Sequence, residues 1–255
     1  MSIRTLFCLL ALCAFPVAPA FAAGSGNPSD EWEFLVEPYG WFPEVTVEDK
    51  TGEEFKLTLD DLIRGADFAY EVVLGARKNK WTFFLDTIYM DLSWDDDGSA
   101  NLIGRPVHTD VEIDMKVWLV TLLASYAFLE TEKTRLEVLF GVQFLSEDIG
   151  FEFDVGPLGE KIETDFNALD GLVGLRGVTD LSEKWYVSYY GSIGTGESDL
   201  VWNAQLGVNR KFRNVTAYAG WRHADFEMDE GGSSGGQLIN GQYATGPVLG
   251  AKWIF

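Results

Sequence analysis

The stretch RLEVLFGVQF, residues 135–144, decides the fold. Its even-numbered positions are all apolar, and they are Leu136, Val138, Phe140, Val142 and Phe144. The residues between them include Arg135, Glu137, Gly141 and Gln143. Alternation with period two is typical of a β-strand that has one apolar face and one polar face. Because the polar face carries full charges of both signs, it does not suit the core of a soluble protein.

The same alternation recurs along the chain, for example in 70–77, 185–193 and 200–209. We predict ten strands, near 31–42, 69–78, 81–93, 111–129, 135–147, 163–178, 185–194, 200–210, 215–226 and 243–255. Segments of about ten residues suit a tilted membrane crossing. The connections between them alternate between short and long, as the periplasmic turns and outer loops of membrane barrels do.

These features predict an all-β fold, a single antiparallel transmembrane β-barrel of about ten strands. The predicted barrel has short periplasmic turns and long acidic outer loops. Eight or twelve strands stay open as alternatives, because the segment 111–129 is long and the first strand is less regular. A helix over 113–133 is a further alternative.

The first 23 residues have the pattern of a secretory signal peptide. Arg4 supplies the positive start, Leu6–Phe15 is apolar, and Ala20-Phe21-Ala22 is a cleavage motif, which predicts cleavage near Ala22 or Ala23. We predict a signal peptide at 1–23, a short mature leader at 24–30 and the barrel at 31–255. Both cysteines lie within the predicted signal peptide, so the rest of the chain has no disulfide or cysteine metal site.

The chain is strongly acidic, with a formal net charge of −21 from 40 acidic and 19 basic residues. This balance argues against nucleic acid as a partner. The expected outer windows 43–68, 94–114, 145–165, 195–199 and 223–242 hold 27 of the acidic residues and only 5 of the basic ones. Acidic loops beside anionic lipopolysaccharide would need divalent cations between them. The alternative is a solvated, repulsive surface.

The chain ends in GAKWIF, residues 250–255. Tyr243, Leu249, Trp253 and Phe255 share one face of the last strand, and Gly250 lies on the other. This pattern resembles the C-terminal signal strand of Gram-negative outer-membrane β-barrel proteins. The resemblance implies recognition by the barrel assembly machinery through Tyr243, Gly250, Trp253 and Phe255, outer-membrane lipid and lipopolysaccharide as surroundings, and the outer membrane of a Gram-negative bacterium as the location.

A second resemblance covers more of the chain. The segments 38–43, 57–66, 75–77 and 86–92 are similar to a group of uncharacterised proteobacterial barrels of comparable size. That group implies the fold but no activity.

The polar faces of the predicted strands point into the lumen and place charges of both signs there. The candidate lumen charges are Glu71, Arg77, Asp86, Arg135, Glu137, Asp170, Arg176 and Arg222. In a narrow barrel such groups either form an interlocked set of ion pairs that fills the lumen or line a narrow polar pore. We predict a non-enzymatic small channel for ions or small solutes. The alternative is a plugged structural or surface-interaction barrel that binds lipopolysaccharide through divalent cations.

No cofactor or metal site is predicted. The run Asp95-Asp96-Asp97-Gly98 suggests an EF-hand, but the twelfth loop position would be Gly104 instead of Glu. An enzyme is a disfavoured alternative, either an omptin-like protease with His223 and Asp225 facing Asp95–Asp97, or a lipid A deacylase with a serine beside a histidine. The order His-x-Asp departs from the omptin pattern, and Ser233 and Ser234 are the nearest candidate nucleophiles to His223.

One outer window contains a helix signal. In Leu57–Arg64, Thr58 is positioned to cap a short helix that has Asp60 and Asp61 at its start and Arg64 at its end. This helix is expected either on the rim or folded into the mouth of the barrel.

Overall fold

The computed structural model describes residues 31–49, 52, 54–102, 105–155, 158–227 and 239–255, with the backbone alone for 49, 55, 95–102, 105–112, 151–155, 158–164, 239 and 240. The predicted signal peptide and leader lie outside these residues. The elements, in chain order, are β1 (Glu33–Trp41), β2 (Glu44–Asp49), β3 (Glu54–Leu57), α1 (Leu59–Gly65), β4 (Ala66–Lys78), β5 (Trp81–Leu102), β6 (Arg105–Glu130), β7 (Thr134–Val155), β8 (Leu158–Asp180), β9 (Trp185–Gly196), β10 (Leu200–Lys211), β11 (Thr216–Glu227) and β12 (Ile239–Ile254).

Ten of the strands form a closed antiparallel barrel, and β2 and β3 are additional. Each barrel strand pairs with its neighbours in chain order, and β12 returns to pair with β1 from Leu35↔Ile254 to Trp41↔Val248. Reciprocal backbone hydrogen bonds between Phe34 and Phe255, of 2.7 and 2.9 Å, complete the closure at one end. The prediction of an antiparallel barrel of about ten strands is therefore confirmed.

The connections differ between the two ends of the barrel. At one end, which we call the inner end, adjacent strands are joined by two to four residues, as between Lys78 and Trp81. At the opposite, outer end, the predicted loops 94–110 and 148–162 are not loops, because β5–β6 and β7–β8 continue as long hairpins. Acidic residues between the β-forming residues concealed these extensions in the sequence. The helix alternative for 113–133 is wrong, since β6 pairs with both β5 and β7 from Ile113 to Tyr126 and continues as a strand to Glu130.

The outer surface of the barrel is apolar. Large hydrophobic side chains are exposed around its circumference, including Leu74, Leu122, Phe140, Val173, Leu206 and Leu249. Aromatic rings contact one another at two levels, Trp81 with Tyr126 near the inner end (centroids 5.1 Å apart) and Tyr89 with Trp118 further out (4.5 Å). An apolar band between aromatic girdles, around a polar interior, is the arrangement of a transmembrane β-barrel.

Among the described residues, no helix has the length and apolar character needed to cross a membrane.

The wall of the barrel divides near Pro38. Along β12, the strands β1 and β2 keep one register, from Leu35↔Ile254 to Glu48↔Gly241. On the opposite edge, the ladder between β1 and β4 ends at Pro38↔Val72, and further out β2 pairs with β3 instead. Proline has no N–H to donate, which helps to explain why the ladder stops there. The short helix α1 connects β3 to β4 beside this division.

The helix α1 has the predicted cap. The Thr58 side chain accepts a hydrogen bond from the backbone N–H of Asp61, and the Asp61 carboxylate accepts from the Thr58 N–H at 2.9 Å and from its hydroxyl at 2.6 Å. These hydrogen bonds from Thr58 lower the pKa of Asp61. On the opposite side of the helix, Trp94 of β5 donates from Nε1 to the Asp61 carbonyl at 2.9 Å. The helix is therefore capped at its start and hydrogen-bonded to β5 through Trp94.

Candidate functional site

The lumen is the candidate site, and it is built by the inward positions of the ten barrel strands. All eight predicted lumen charges lie on this inward side. Six of them line the inner or the middle of three successive levels, which we call the inner chamber, the middle chamber and the apolar chamber.

The inner chamber is a polar cavity of about 120 Å³, lined by Glu33, Arg77, Arg135, Glu137, Arg176 and Lys252 among others. Arg77 Nε donates to Glu33 Oε2 at 2.5 Å. Arg135 Nε donates to Glu137 Oε1, also at 2.5 Å, and Arg135 is ion-paired with Glu130 as well. The cations of this level are therefore held by carboxylates of neighbouring strands.

Glu137 is the centre of this network. Its side chain is almost fully buried, and it accepts from Ser125 Oγ at 2.6 Å and lies 3.4 Å from Arg176 Nε. The Arg176 guanidinium also stacks on the ring of Phe84, 4.0 Å from the ring centroid. One carboxylate thus joins residues of the three adjacent strands β6, β7 and β8 along the inner wall.

The middle chamber has a volume of about 150 Å³ and shares Arg176 and Lys252 with the inner chamber. At this level, Tyr39 donates to Asp86 Oδ1 at 2.7 Å, and Arg222 Nη1 donates to the Tyr39 hydroxyl at 2.9 Å and to Asp86 Oδ2 at 3.2 Å. The Arg222 guanidinium lies 4.8 Å from the ring centroid of Trp41. This cluster connects β1, β5 and β11 across the barrel.

The two remaining predicted charges have neutral partners. Glu71 Oε2 accepts from the backbone N–H of Trp41 at 2.7 Å. Asp170 accepts from the Ser198 N–H and hydroxyl, both at 2.8 Å. Asp170, in the middle of β8, therefore fixes the short β9–β10 connection at the outer end of β9, instead of forming an ion pair across the lumen.

The apolar chamber is the outermost level and was not predicted. It is a cavity of about 70 Å³ whose lining includes Trp41, Leu62, Ile88, Leu119, Leu145 and Phe226. Its polar lining comprises the side chains of Glu147 and Gln242, which are both buried and are hydrogen-bonded to each other at 2.7 Å. An apolar layer therefore lies across the lumen outside the charged levels.

A sequence signal for this layer exists within the strands. Along β6 the inward positions change from Ser125 and Thr121 to Leu119 and Val117 towards the outer end. Along β7 they change from Glu137 to Leu145. The inward positions of β6 are thus apolar in its outer part, at Leu119, Val117 and Met115. The change is not uniform, because Leu123 and Leu139 line the middle chamber and Glu147 lies further out than Leu145.

The candidate enzyme residues whose side chains are described, His223 and Asp225, do not face the lumen. His223 lies on the outer surface, with its ring 4.3 Å from Trp202 and 5.9 Å from Tyr243 between centroids. Its Nε2 atom is 3.8 Å from Asp225 Oδ2. The expectation that His223 faces Asp95–Asp97 across the mouth is therefore wrong for His223, because position 223 lies on the outward face of β11. The side chains of Asp95–Asp97, and Ser233 and Ser234, lie outside the described part.

The residues of the predicted assembly signal have two orientations. Leu249 and Phe255 are exposed on the lipid side, and Tyr243 and Trp253 share their parity. Gly250 points inward, where a Cβ atom would lie 2.4 Å from the Tyr218 ring and 2.8 Å from Tyr39 Cβ. The close approach of these two tyrosines thus explains why glycine occupies position 250, apart from any role in assembly.

Among the side chains that the structure describes, no group of three or more His, Cys, Asp or Glu residues is arranged to hold a metal ion.

No protein-family model and no curated protein sequence matches the chain. Among solved structures, it is similar to the translocator domain of the autotransporter NalP from Neisseria meningitidis, with 14% identity, a TM-score of 0.46, and 90% of this chain and 89% of that chain covered. It is also similar to the outer membrane protease OmpT from Escherichia coli (10%, 0.42, 91% and 99%) and to the attachment invasion locus protein Ail of Yersinia pestis (11%, 0.37, 89% and 100%). Similarities of this size do not decide what the chain does.

Proposed function

We propose that this chain is a non-enzymatic outer-membrane β-barrel whose lumen is closed to ions at rest. The observation that carries the proposal is the apolar layer outside the charged levels. An ion that crosses it would lose its hydration without gaining polar partners, and apolar constrictions of this kind close channels by excluding water. The competing function is the open small channel predicted from the sequence, which the two polar chambers favour.

The location rests on four features. The lipid-facing band and the short inner connections are typical of barrels of the bacterial outer membrane. The signal-peptide pattern of residues 1–23 and the C-terminal pattern that ends at Phe255 are consistent with export and barrel assembly. In this orientation the inner end faces the periplasm.

The test is single-channel recording of the refolded barrel in planar bilayers, with a heat-modifiable gel band as the measure of folding. We expect no discrete conductance steps from the unmodified protein. The double variant Leu119→Ser/Leu145→Ser places hydroxyls in the apolar layer, and we expect it to conduct in discrete steps.

The matched control is Leu122→Ser/Val142→Ser, which makes similar changes on the lipid face of the same two strands, and we expect it to remain silent. Reproducible ion-selective steps from the unmodified protein would contradict the proposal and support the open channel.

A second candidate function is surface interaction. The β5–β6 and β7–β8 hairpins extend to Leu102↔Arg105 and Val155↔Leu158, and their outer parts are rich in Asp and Glu. We propose that these carboxylates bind lipopolysaccharide phosphates through Mg²⁺ or Ca²⁺. We expect lipopolysaccharide to raise the unfolding temperature when Mg²⁺ is present and to have no such effect in excess chelator. An equal effect in both conditions would contradict this role.

A further inference from the structure

We propose that the apolar chamber binds the end of a hydrocarbon chain, about four or five carbons, which comes from a lipid of the outer leaflet. The chain would enter sideways, through the division in the barrel wall beside α1. This inference does not depend on whether the barrel conducts ions.

The size and chemistry of the chamber suit such a ligand. A volume of about 10–15 Å³ on this measure holds one water molecule, so about 70 Å³ corresponds to roughly five water molecules or a short alkyl segment. The lining is mainly aliphatic and aromatic side chains, and it comes from β1, β2, β3, α1, β5, β6, β7, β11 and β12. Its polar side chains, Glu147 and Gln242, bond to each other, so the chamber offers a ligand mainly apolar surface.

The division in the wall provides the route. Beyond Pro38↔Val72, the residues 66–71 of β4 pair with β5, and no ladder joins them to β1, β2 or β3 among the described residues. The backbone N–H of Trp41 donates to the Glu71 carboxylate across the start of this division. A continuous barrel would have further ladder hydrogen bonds at this place.

The helix α1 forms part of the wall beside the division. Its residue Leu62 is buried and lines the apolar chamber, while Ile63, the next residue, is half exposed. The contacts of α1 with the barrel include the Trp94–Asp61 hydrogen bond and the close approach of Gly65 to the Trp94 ring. A seven-residue helix with so few contacts can move more readily than a paired strand.

The occupant follows from the surface around the division. Phe42 and Phe68, which flank it, are exposed apolar residues, at the level of the outer aromatic girdle formed by Phe68, Tyr70, Tyr89 and Trp118. Leu62 therefore lies between the lipid-facing surface at the division and the apolar chamber. The molecules that contact such a surface in a membrane are lipids, and their acyl chains match the chamber lining.

The test is methyl NMR of the full barrel in nanodiscs of protonated phospholipid, with the isoleucine δ1 methyl groups labelled. Ile88 is almost fully buried and lines the chamber, whereas Ile193 is exposed on the lipid face and serves as the internal control. We expect nuclear Overhauser effects from the lipid chain to both methyl groups. Effects at Ile193 without any at Ile88 would overturn the proposal.

Two variants on one helix test the route. Leu62→Ala removes the side chain between the chamber and the wall, and we expect the effect at Ile88 to increase at least twofold. Ile63→Ala, on the exposed side of α1, should leave it unchanged. Equal effects of the two variants would contradict entry beside Leu62.

Binding of a free alkane tests the chamber itself, apart from the question whether its ligand comes from a lipid. In amphipol without lipid, we expect n-pentane to shift the Ile88 methyl signal and leave that of Ile193 in place. A shift with pentane but no lipid effect in nanodiscs would show an alkane site that lipid chains do not enter, and would overturn the proposed source.

Discussion

Glu137 shows at the scale of one residue how this barrel stabilises charge inside a membrane. It contacts Arg135, Arg176 and Ser125 at once, and its side chain is excluded from solvent. A buried charge is costly unless it is paired and hydrogen-bonded. The network is thus stable as a set, and the removal of one member leaves the others uncompensated.

Replacement of Glu137 by Gln therefore leaves two arginines without their shared carboxylate. We expect the free energy of unfolding to fall by about 3–5 kcal/mol, as when one partner of a buried ion pair is lost. Urea unfolding in lipid vesicles measures this change. Glu132→Gln, in an exposed inner turn, is the control and should change the stability little. Similar small effects for both variants would mean that the lumen network is solvated.

At the scale of an element, strand pairing depends on close approach between backbones. A Cβ atom at Gly141 of β7 would lie 2.0 Å from the Leu122 carbonyl oxygen of β6, which is closer than any real contact. At Gly150 of the same strand, the nearest atom would be Asp114 Cβ at 3.8 Å. Close approach between the strands therefore requires glycine at position 141 but not at position 150.

We expect Gly141→Ala to reduce the stability of the folded barrel by about 1–3 kcal/mol, because β6 and β7 must move apart locally. Gly150→Ala should be neutral or slightly stabilising, since alanine restricts the unfolded chain. Thermal unfolding on gels compares the two variants. A Gly141→Ala barrel as stable as Gly150→Ala would contradict the need for close approach.

The cap of α1 gives a pH-dependent prediction. Because hydrogen bonds from Thr58 lower the pKa of Asp61 in the folded state, their stabilisation is complete above the ordinary pKa near 3.8 and is lost as the pH falls through the lowered value. The Leu62 amide donates to the Thr58 carbonyl at 3.0 Å, so we expect its hydrogen exchange to measure local opening of the first turn of α1.

In Thr58→Ala, this protection should fall at neutral pH by an amount that corresponds to about 1 kcal/mol. Asp60→Asn, which removes only the exposed pair with Arg64, should have a smaller effect. Unchanged protection in Thr58→Ala would mean that packing alone holds the helix.

The elements that sequence could predict are those in which alternation and turn residues agree. The strands β4, β9, β10 and β11 and the cap at Thr58 are of this kind. The extensions of β5–β8 could not be read in this way, because acidic residues occur on both faces beyond the membrane and hydrogen bonding to the neighbouring strand sustains them. The hairpin of β2 and β3 depends on the partner β12, which lies almost 200 residues away along the chain.

At the scale of the whole molecule, the lumen was predicted only in part. Parity along each strand is enough to place Arg77, Asp86 and Arg222 inside. Which charges meet, and the fact that an apolar layer lies beyond them, depend on the relative stagger of ten strands. The orientation of His223 also depends on parity, which the short sequence motif did not take into account.

The closure of the barrel depends on ladders that exclude residues 44–65. We expect a variant in which a short Gly/Ser linker replaces this segment to fold into a heat-modifiable barrel, because the β1–β12 and β1–β4 ladders remain. The unfolding temperature in lipid should be similar, while the apolar chamber, which loses Leu62, opens to solvent. Failure of this variant to fold, although an equally long linker in the 228–238 connection is tolerated, would contradict this view.

The division of the wall at Pro38 also has an evolutionary consequence. A segment that the barrel does not need for closure can gain, lose or exchange residues under little constraint from folding. The inward ion pairs and the close-packed glycines cannot change as freely, since each change there affects several strands. Related barrels should therefore diverge fastest between Pro43 and Ala66, and differences in ligand preference among them should follow that short stretch of chain.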